Sequence, residues 1–445
     1  MASKVAAKEG QYRSREDRLK EGLERRKKIG RDDLGDFEPK KRKTKALETL
    51  LNATEGRVPK LLPVKYQRMA VSPFAFFRGA VAIMAADLGR EENTGLNVQL
   101  CGDAHVQNMG CYATPDGTLI FDINDFDETI AGPWEWDVKR MATSLVLAGM
   151  ESDHKKPGCT EAVEAFADSY CATLETLAEQ PLLFAVRHVI RRPGKAPAIL
   201  AAFKQAERAT PADLLKKYTE KEGKDRVRFK TVERVSWRVA GAEQRGVLAG
   251  LPLYEQSLAP ERRHLFHFFQ QRDVAFKIVG TGSVALRDYV VLMENGKDDP
   301  LFLQIKQEVH SIYAPYLKHV HYDHQGKRVV EGQRRIQALS DLLLGWTSIG
   351  DNDYLVRQLN DHKGSVDLAA LRGNGLKSLA NVAGELLARG HLRSGDALAI
   401  KGYIGSVDKI CQAIVKFAMR YAEVTHDDFR ELNKAIQAGR VKAAA

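Results

Sequence analysis

The chain has 445 residues, of which 44% are hydrophobic and 28% charged, and a formal net charge of +10. This is ordinary globular composition with room for a large core and two or three structural units, and no apolar run is long enough to span a bilayer. Five cysteines (Cys101, Cys111, Cys159, Cys171 and Cys411) without CxxC spacing argue against a disulfide framework or a zinc site and for a reduced, cytoplasmic setting.

Residues 1–48 hold much of the excess charge, in RLKEGLERRKKIG and PKKRKTK. They predict a basic, flexible arm with one frayed helix. A solvated tail is favoured there over a nucleic-acid arm, and no membrane contact is expected. The first residues lack an apolar core, which predicts no secretory signal. From Tyr66 the chain turns apolar, and Ser72-Pro73 predicts a helix start. A strand over Asn97–Leu100, a polar loop over Gly102–Met109 and a second strand follow. Next come the turn Pro115-Asp116-Gly117 and a strand over Leu119–Ile123. Residues 134–250 predict helices. From Ala275 the pattern becomes strand, glycine turn, strand, hairpin, strand. EGQRRIQALSDLLLG then predicts a helix, DYLVRQLND a strand, and everything from Val366 onward helix. The class is α+β, divided as 1–48 (arm), 49–265, 266–365 (small β-rich unit) and 366–445.

The strongest chemical signal is CGDAHVQN followed by LIFDINDFDE. Asp103 and Asn108 share one polar loop between apolar strands, and a hairpin returns Asp125 at a strand end. Gly102, His105 and the acids Asp122, Asp125, Asp127 and Glu128 add to the pattern. Mg²⁺ takes oxygen ligands and keeps several waters, so one Asn and one Asp with substrate phosphates suffice to hold it. A neighbouring Asp that binds no metal can orient or deprotonate an attacking hydroxyl. A second signal is VGTGSVALRDYVVL, where Gly280, Gly282 and Ser283 lie between two strands and let backbone N–H groups approach phosphate. Arg287 follows as a further phosphate contact. The next strand ends in LFLQIK, so Lys306 stands among hydrophobic neighbours and needs a polar or charged partner.

Gly102-Asp103-Ala104-His105 with Asn108 resembles the catalytic loop of aminoglycoside phosphotransferases and choline kinases. The resemblance implies a catalytic base at Asp103 and a metal ligand at Asn108. Asp125-Phe126-Asp127 resembles their metal-binding segment, although the extra acid Asp122 leaves the metal ligand open between Asp122 and Asp125. GPWEWDVKRMA resembles the segment that follows, making Asp137 a structural carboxylate. Cys101 and Ala285 depart from the usual residues. The glycine turn and Lys306 resemble the small lobe of protein kinases, which implies a carboxylate partner for Lys306, with Glu331 first and Glu308 as the alternative. The catalytic loop here precedes the glycine turn, so the implied architecture is a kinase-like two-lobe fold in permuted order. From about residue 60 onward the chain also resembles a bacterial family catalogued as domain of unknown function 2252. It does so through RMAVSPFAFFRGA, CGDAHVQNMG, FDINDFDET, VGTGSVALRDY and FLQIKQE. The implied activity is ATP- and Mg²⁺-dependent phosphoryl transfer to a hydroxyl-bearing acceptor. Nucleotidyl transfer on the same scaffold, and a catalytically silent nucleotide- or nucleic-acid-binding protein, are the alternatives.

Overall fold

The structure is a computed structural model that describes residues 13–187, 189–191, 196–222, 226–233, 235–278, 280, 282–296, 299–318, 320–359 and 362–444. Residues 1–12 of the expected arm and Thr281 of the glycine turn lie outside the described residues. The chain is α+β. Thirteen strands are described: β1 (Asn97–Leu100), β2 (Met109–Ala113), β3 (Leu119–Ile123), β4 (Ile130–Pro133), β5 (Thr219–Glu222), β6 (Arg226–Phe229), β7 (Ser236–Arg238), β8 (Gln270–Lys277), β9 (Asp288–Glu294), β10 (Pro300–Glu308), β11 (Gly345–Ile349), β12 (Asn352–Gln358) and β13 (Gly364–Ser365).

The largest sheet is antiparallel, in the order β11-β12-β10-β9-β8-β7. Strands β9 and β10 are buried along nearly their whole length, which explains why they read as near-continuous apolar runs. One face carries Leu303 and Ile305 into a core with Tyr254 and Val356. The other carries Leu292 and Phe302 against Leu214 and Phe229. Because strand side chains alternate, Phe302, Gln304, Lys306 and Glu308 share a face, and that face turns polar toward the β10 end.

A second body of helices surrounds the helix Trp134–Glu151, which is buried from Trp134 to Gly149. This helix is buried all round, with the apolar residues Met141, Leu145 and Val146 in the core and the buried charges Asp137 and Arg140 turned to partners in the site. Around it pack Lys156–Ala178, Gly375–Ser394 and Val407–Gln437. The strands β1 and β4 pair, and β2 lies between β3 and β13. Ser72 caps the helix Pro73–Gly79 by accepting from the Ala75 N–H at 3.1 Å, as the Ser-Pro signal predicts.

Three sequence expectations are corrected. The one helix expected in the basic arm is present as Arg15–Lys28, but it is docked on Ala397–Ile404 rather than standing in solvent. Arg18 donates to Asp396 at 2.8–2.9 Å, and Arg31 donates to the Ile404 carbonyl at 2.8 Å, so the basic charge is spent partly on a helix C-terminus. Within 134–250 the strands β5, β6 and β7 interrupt the helices; Val227 and Phe229 alternate with arginines and cover the large sheet. The helix expected over 331–345 ends at Ile336. There Asp341 accepts from the backbone N–H groups of Leu343 and Gln358, holding the following segment as a loop. Among the described residues no helix is long and apolar enough to cross a membrane.

Candidate functional site

Backbone geometry builds the Asp103 loop. Asp137, on the buried central helix, accepts from the N–H groups of Cys101 at 2.7 Å and Gly102 at 3.0 Å. Gly102 has φ +85, and a Cβ there would lie 2.3 Å from the Glu128 carbonyl oxygen. Only glycine suits both that left-handed backbone and the close approach of the acidic loop. Asn108 Nδ2 donates to the Asp103 carbonyl at 2.9 Å, and the Val106 N–H donates to Ser144 at 2.9 Å. The loop is therefore locked from three sides before any ligand arrives.

The acidic strand end is held equally firmly. Arg328, 1% exposed, donates to the carbonyls of Thr129 at 2.6 Å, Asp127 at 2.8 Å and Val309 at 2.9 Å. Glu128 accepts the Ile312 N–H at 2.7 Å. The turn that follows β8 is pinned from outside. Arg57 donates to the carbonyls of Gly282 and Val284 at 2.9 and 2.8 Å, and Lys65 donates to Gly282 at 3.1 Å.

These pieces meet around one cleft of about 480 Å³. Lys306 donates to Asp127 Oδ1 at 2.6 Å and also contacts Oδ2, while Ser283 Oγ donates to Asp127 Oδ2 at 2.7 Å. The glycine turn, β10 and the acidic strand end are thus tied through a single carboxylate. Opposite, Arg140 binds Asp103 Oδ1 at 2.5–2.7 Å. A Cβ on Gly282 would stand 3.9 Å from Asp103 Oδ2, so the turn reaches directly over the Asp103 carboxylate.

Of the sequence candidates, Asp103, His105, Asn108, Asp125, Gly280, Gly282, Ser283 and Lys306 line this cleft. Three do not. Asp122 points away on β3, taking the Ile123 N–H and lying near Arg393. Arg287 bonds to Gln307. Glu331 is an exposed partner of Lys327 at 3.8 Å, and Asp127 takes the place beside Lys306 that Glu331 was expected to fill. Missed altogether were Arg57, Lys65, Arg140, Lys277 and Arg328. For the remaining lining the sequence offers the polar alternation at Gln304, Lys306 and Glu308 on an otherwise apolar strand, and the cations Arg68 and Arg78 ahead of the first motif and Arg357 and Lys363 beyond the second.

Burial would raise Asp127, but the Lys306 ammonium overrides it and holds the carboxyl far below its ordinary range. Asp125 moves the opposite way: burial and the charge of Asp127 raise it, and the Asp127 N–H donates to it at 3.3 Å. Burial also lifts Asp103 against the pull of Arg140 and Arg78. It lowers His105 strongly, with Arg78 and Arg140 adding to the effect, so the imidazole is neutral. Lys363 is pushed down to about 7 by burial and by Arg357. The Asp125 carboxylate and the Asn108 side chain line the same cleft, and oxygen donors of this kind suit a hard divalent cation completed by phosphate oxygens and water. Among the described residues there is no closed cage of three or more His, Cys, Asp or Glu side chains.

The fold and site define an α+β protein with a polar cleft carrying charges of both signs between an antiparallel sheet and a helical body. The chain belongs to the family described as "Uncharacterized protein conserved in bacteria (DUF2252)", whose model matches residues 57–435. No curated protein and no solved structure matches it.

Proposed function

We propose that this protein is an ATP- and Mg²⁺-dependent phosphotransferase acting on a hydroxyl group, built as a kinase-like two-lobe fold in permuted order. The observation that carries the proposal is the bridge Lys306–Asp127–Ser283, which joins the glycine turn to the acidic strand end with Asp103 across the same cleft.

Phosphoryl transfer demands little covalent work from a protein; it demands positioning and charge. Lys306, Arg357 and Lys277 line the sheet side of the cleft, Lys363 enters it from the segment before β13, and together they supply cationic contacts for a triphosphate. Lys306 is 3% exposed and fixed by Asp127, so it is pre-aimed rather than searching. Gly280 and Gly282 let the turn backbone lie close to phosphate. Asn108 and Asp125 would hold Mg²⁺, which supplies neutralisation of phosphate charge when bound. Asn108 spends its amide nitrogen on the Asp103 carbonyl, leaving its oxygen for that cation.

Asp103 receives the acceptor's proton. Its Oδ1 is fixed by Arg140, which leaves Oδ2 for the hydroxyl. Burial raises the proton affinity of this carboxylate, the direction a general base needs. His105, neutral and 3.8 Å from Asp103 Oδ2, steers the base without competing for the proton.

The test is incubation of the full chain with Mg²⁺, ATP labelled on its γ-phosphate and a panel of hydroxyl compounds, with product mass read directly. A phosphoryl-sized mass increase supports the proposal. A nucleotidyl-sized increase moves the assignment to AMP transfer, and a chain that neither binds nor consumes ATP sinks both.

A further inference from the structure

Three buried polar atoms at the Asp103 end of the cleft have no partner: Arg78 Nε, His105 Nδ1 and Gln107 Oε1. All three residues line the same cavity as Asp103. Buried polar groups in native proteins are nearly always satisfied, so each unmet one calls for an explanation. These three atoms lie just beneath the cleft surface, while Arg78, itself only partly buried, lines the cavity with no carboxylate in ion-pair contact among the described residues.

The charge of that wall follows from how Asp103 is already neutralised. Arg140, wholly buried, occupies Asp103 Oδ1 and also donates to the Phe77 carbonyl at 3.1 Å. Arg78 therefore adds a second cation next to a carboxylate that is already paired. Its guanidinium carbon lies 6.0 Å from the Phe74 ring centroid, a contact that fixes the side chain without consuming its donors. Burial penalises the Arg78 charge, Asp103, Asp125 and Glu151 offset it at a distance, and Arg68 adds to the penalty. The sheet-side cations Lys306 and Arg357 are separate from this group: they sit beside Asp127 and Asn124.

Building on the phosphotransfer proposal, we infer that the acceptor is a small hydroxylated anion. Its carboxylate or phosphate group pairs with the Arg78 guanidinium, the Gln107 side chain borders it, and its hydroxyl rests at Asp103. A fixed guanidinium presents a planar fork that matches either anion, whereas an uncharged or cationic acceptor would leave Arg78 unpaired in a buried site. In the transfer step the acceptor oxygen forms the new bond to the γ-phosphorus, the bond from that phosphorus to the β–γ bridging oxygen breaks, ADP leaves, and the hydroxyl proton passes to Asp103.

The experiment titrates inorganic phosphate into the full chain saturated with Mg²⁺ and ADP, so that the sheet-side cations are occupied. Wild type and Arg78→Lys should bind phosphate, with Arg78→Gln at least about tenfold weaker, the scale expected for losing a charge-assisted pair. Matching thermal unfolding curves for the three chains ensure that folding is intact. Absence of phosphate binding in wild type, or undiminished binding in Arg78→Gln, overturns the anion subsite. In parallel, matched acceptors with and without a charged group are offered with ATP, and a preference for the uncharged member also overturns it. Phosphate binding that depends on Arg78, in a chain that transfers nothing to any hydroxylated anion, keeps the subsite and removes the phosphotransfer proposal instead. If ADP itself fails to bind, the same titration on the free chain still reads Arg78.

Discussion

The Lys306 ammonium lies in contact with the Asp127 carboxylate although the two residues are 179 positions apart in the chain. Lys306 comes from the polar face of an apolar strand and Asp127 from a loop held by Arg328. Neither element alone has any reason to place a charge there. Their contact sets the sign of the electrostatics at one end of the cleft and leaves Asp125 as the carboxylate in need of a cation.

Replacing Lys306 with Met should destabilise the fold by about 3–5 kcal/mol, because it strands Asp127 in a buried site with Ser283 as its remaining side-chain partner. Urea unfolding at neutral pH measures this. The same pair sets an acid dependence. Asp127's folded value lies far below its unfolded one, so its stabilisation is complete above the ordinary carboxylate range and disappears as pH falls below it. Wild type should lose stability steeply through that acidic window, and Lys306→Met should show a much shallower loss.

Asp103→Asn should lower kcat by about 10²–10⁴-fold, the usual contribution of a positioned base, while the Kd for ATP changes less than about threefold. Asparagine keeps an oxygen for Arg140 but not the charge opposite this wholly buried guanidinium, so the melting temperature should fall, and turnover and ATP binding are compared well below the transition. Turnover at the wild-type rate would exclude Asp103 as the base.

Nucleotide binding should take up a proton at pH 8. Lys363 titrates at about 7 because burial and Arg357 disfavour its charge, and a triphosphate alongside would restore it. Calorimetry of ATP binding in two buffers of different ionisation heat should reveal uptake that Lys363→Met abolishes. For the free protein the sign follows from the same shift. Between about pH 7 and 10 the unfolded chain holds a proton that the folded chain has released, so this group makes stability rise with pH.

Gly102→Ala should cost at least about 2 kcal/mol, since it forces a left-handed backbone on an L-residue and drives a methyl into the Glu128 carbonyl. The loop carrying Asp103 and the acidic loop should separate, so ATP consumption should fall with the stability. A variant that melts like wild type would show that this approach is not tight.

Features that depend on near neighbours in the chain were legible. The Ser72-Pro73 helix start, the β2–β3 hairpin around Pro115-Asp116-Gly117 and the Asp103–Asn108 loop are each written within a dozen residues, where turn chemistry and hydrogen-bond reach decide the outcome. The assignment of Glu331 to Lys306 failed for the converse reason. Two acids are equally able to pair with a lysine, and which one arrives depends on how a helix and a loop pack, not on spacing. Glu331 turned outward to Lys327 while Arg328, three residues earlier on the same helix, turned inward and fixed Asp127. The basic N-terminal segment differs for the same reason: its charge suggests a solvated arm, yet Arg18 and Arg31 are matched to Asp396 and a helix C-terminus 378 and 373 residues away.

By itself the sequence determined the α+β class, the strand that carries Lys306 and the loop that carries Asp103, because alternation, helical period and turn residues act over short distances. Only the tertiary structure decided that Asp127 neutralises Lys306, that Arg140 neutralises Asp103 and that Arg78 remains uncancelled beside it. Charge pairing in a buried cleft is a competition among groups that meet only after the chain has packed, and low dielectric makes the outcome of that competition large.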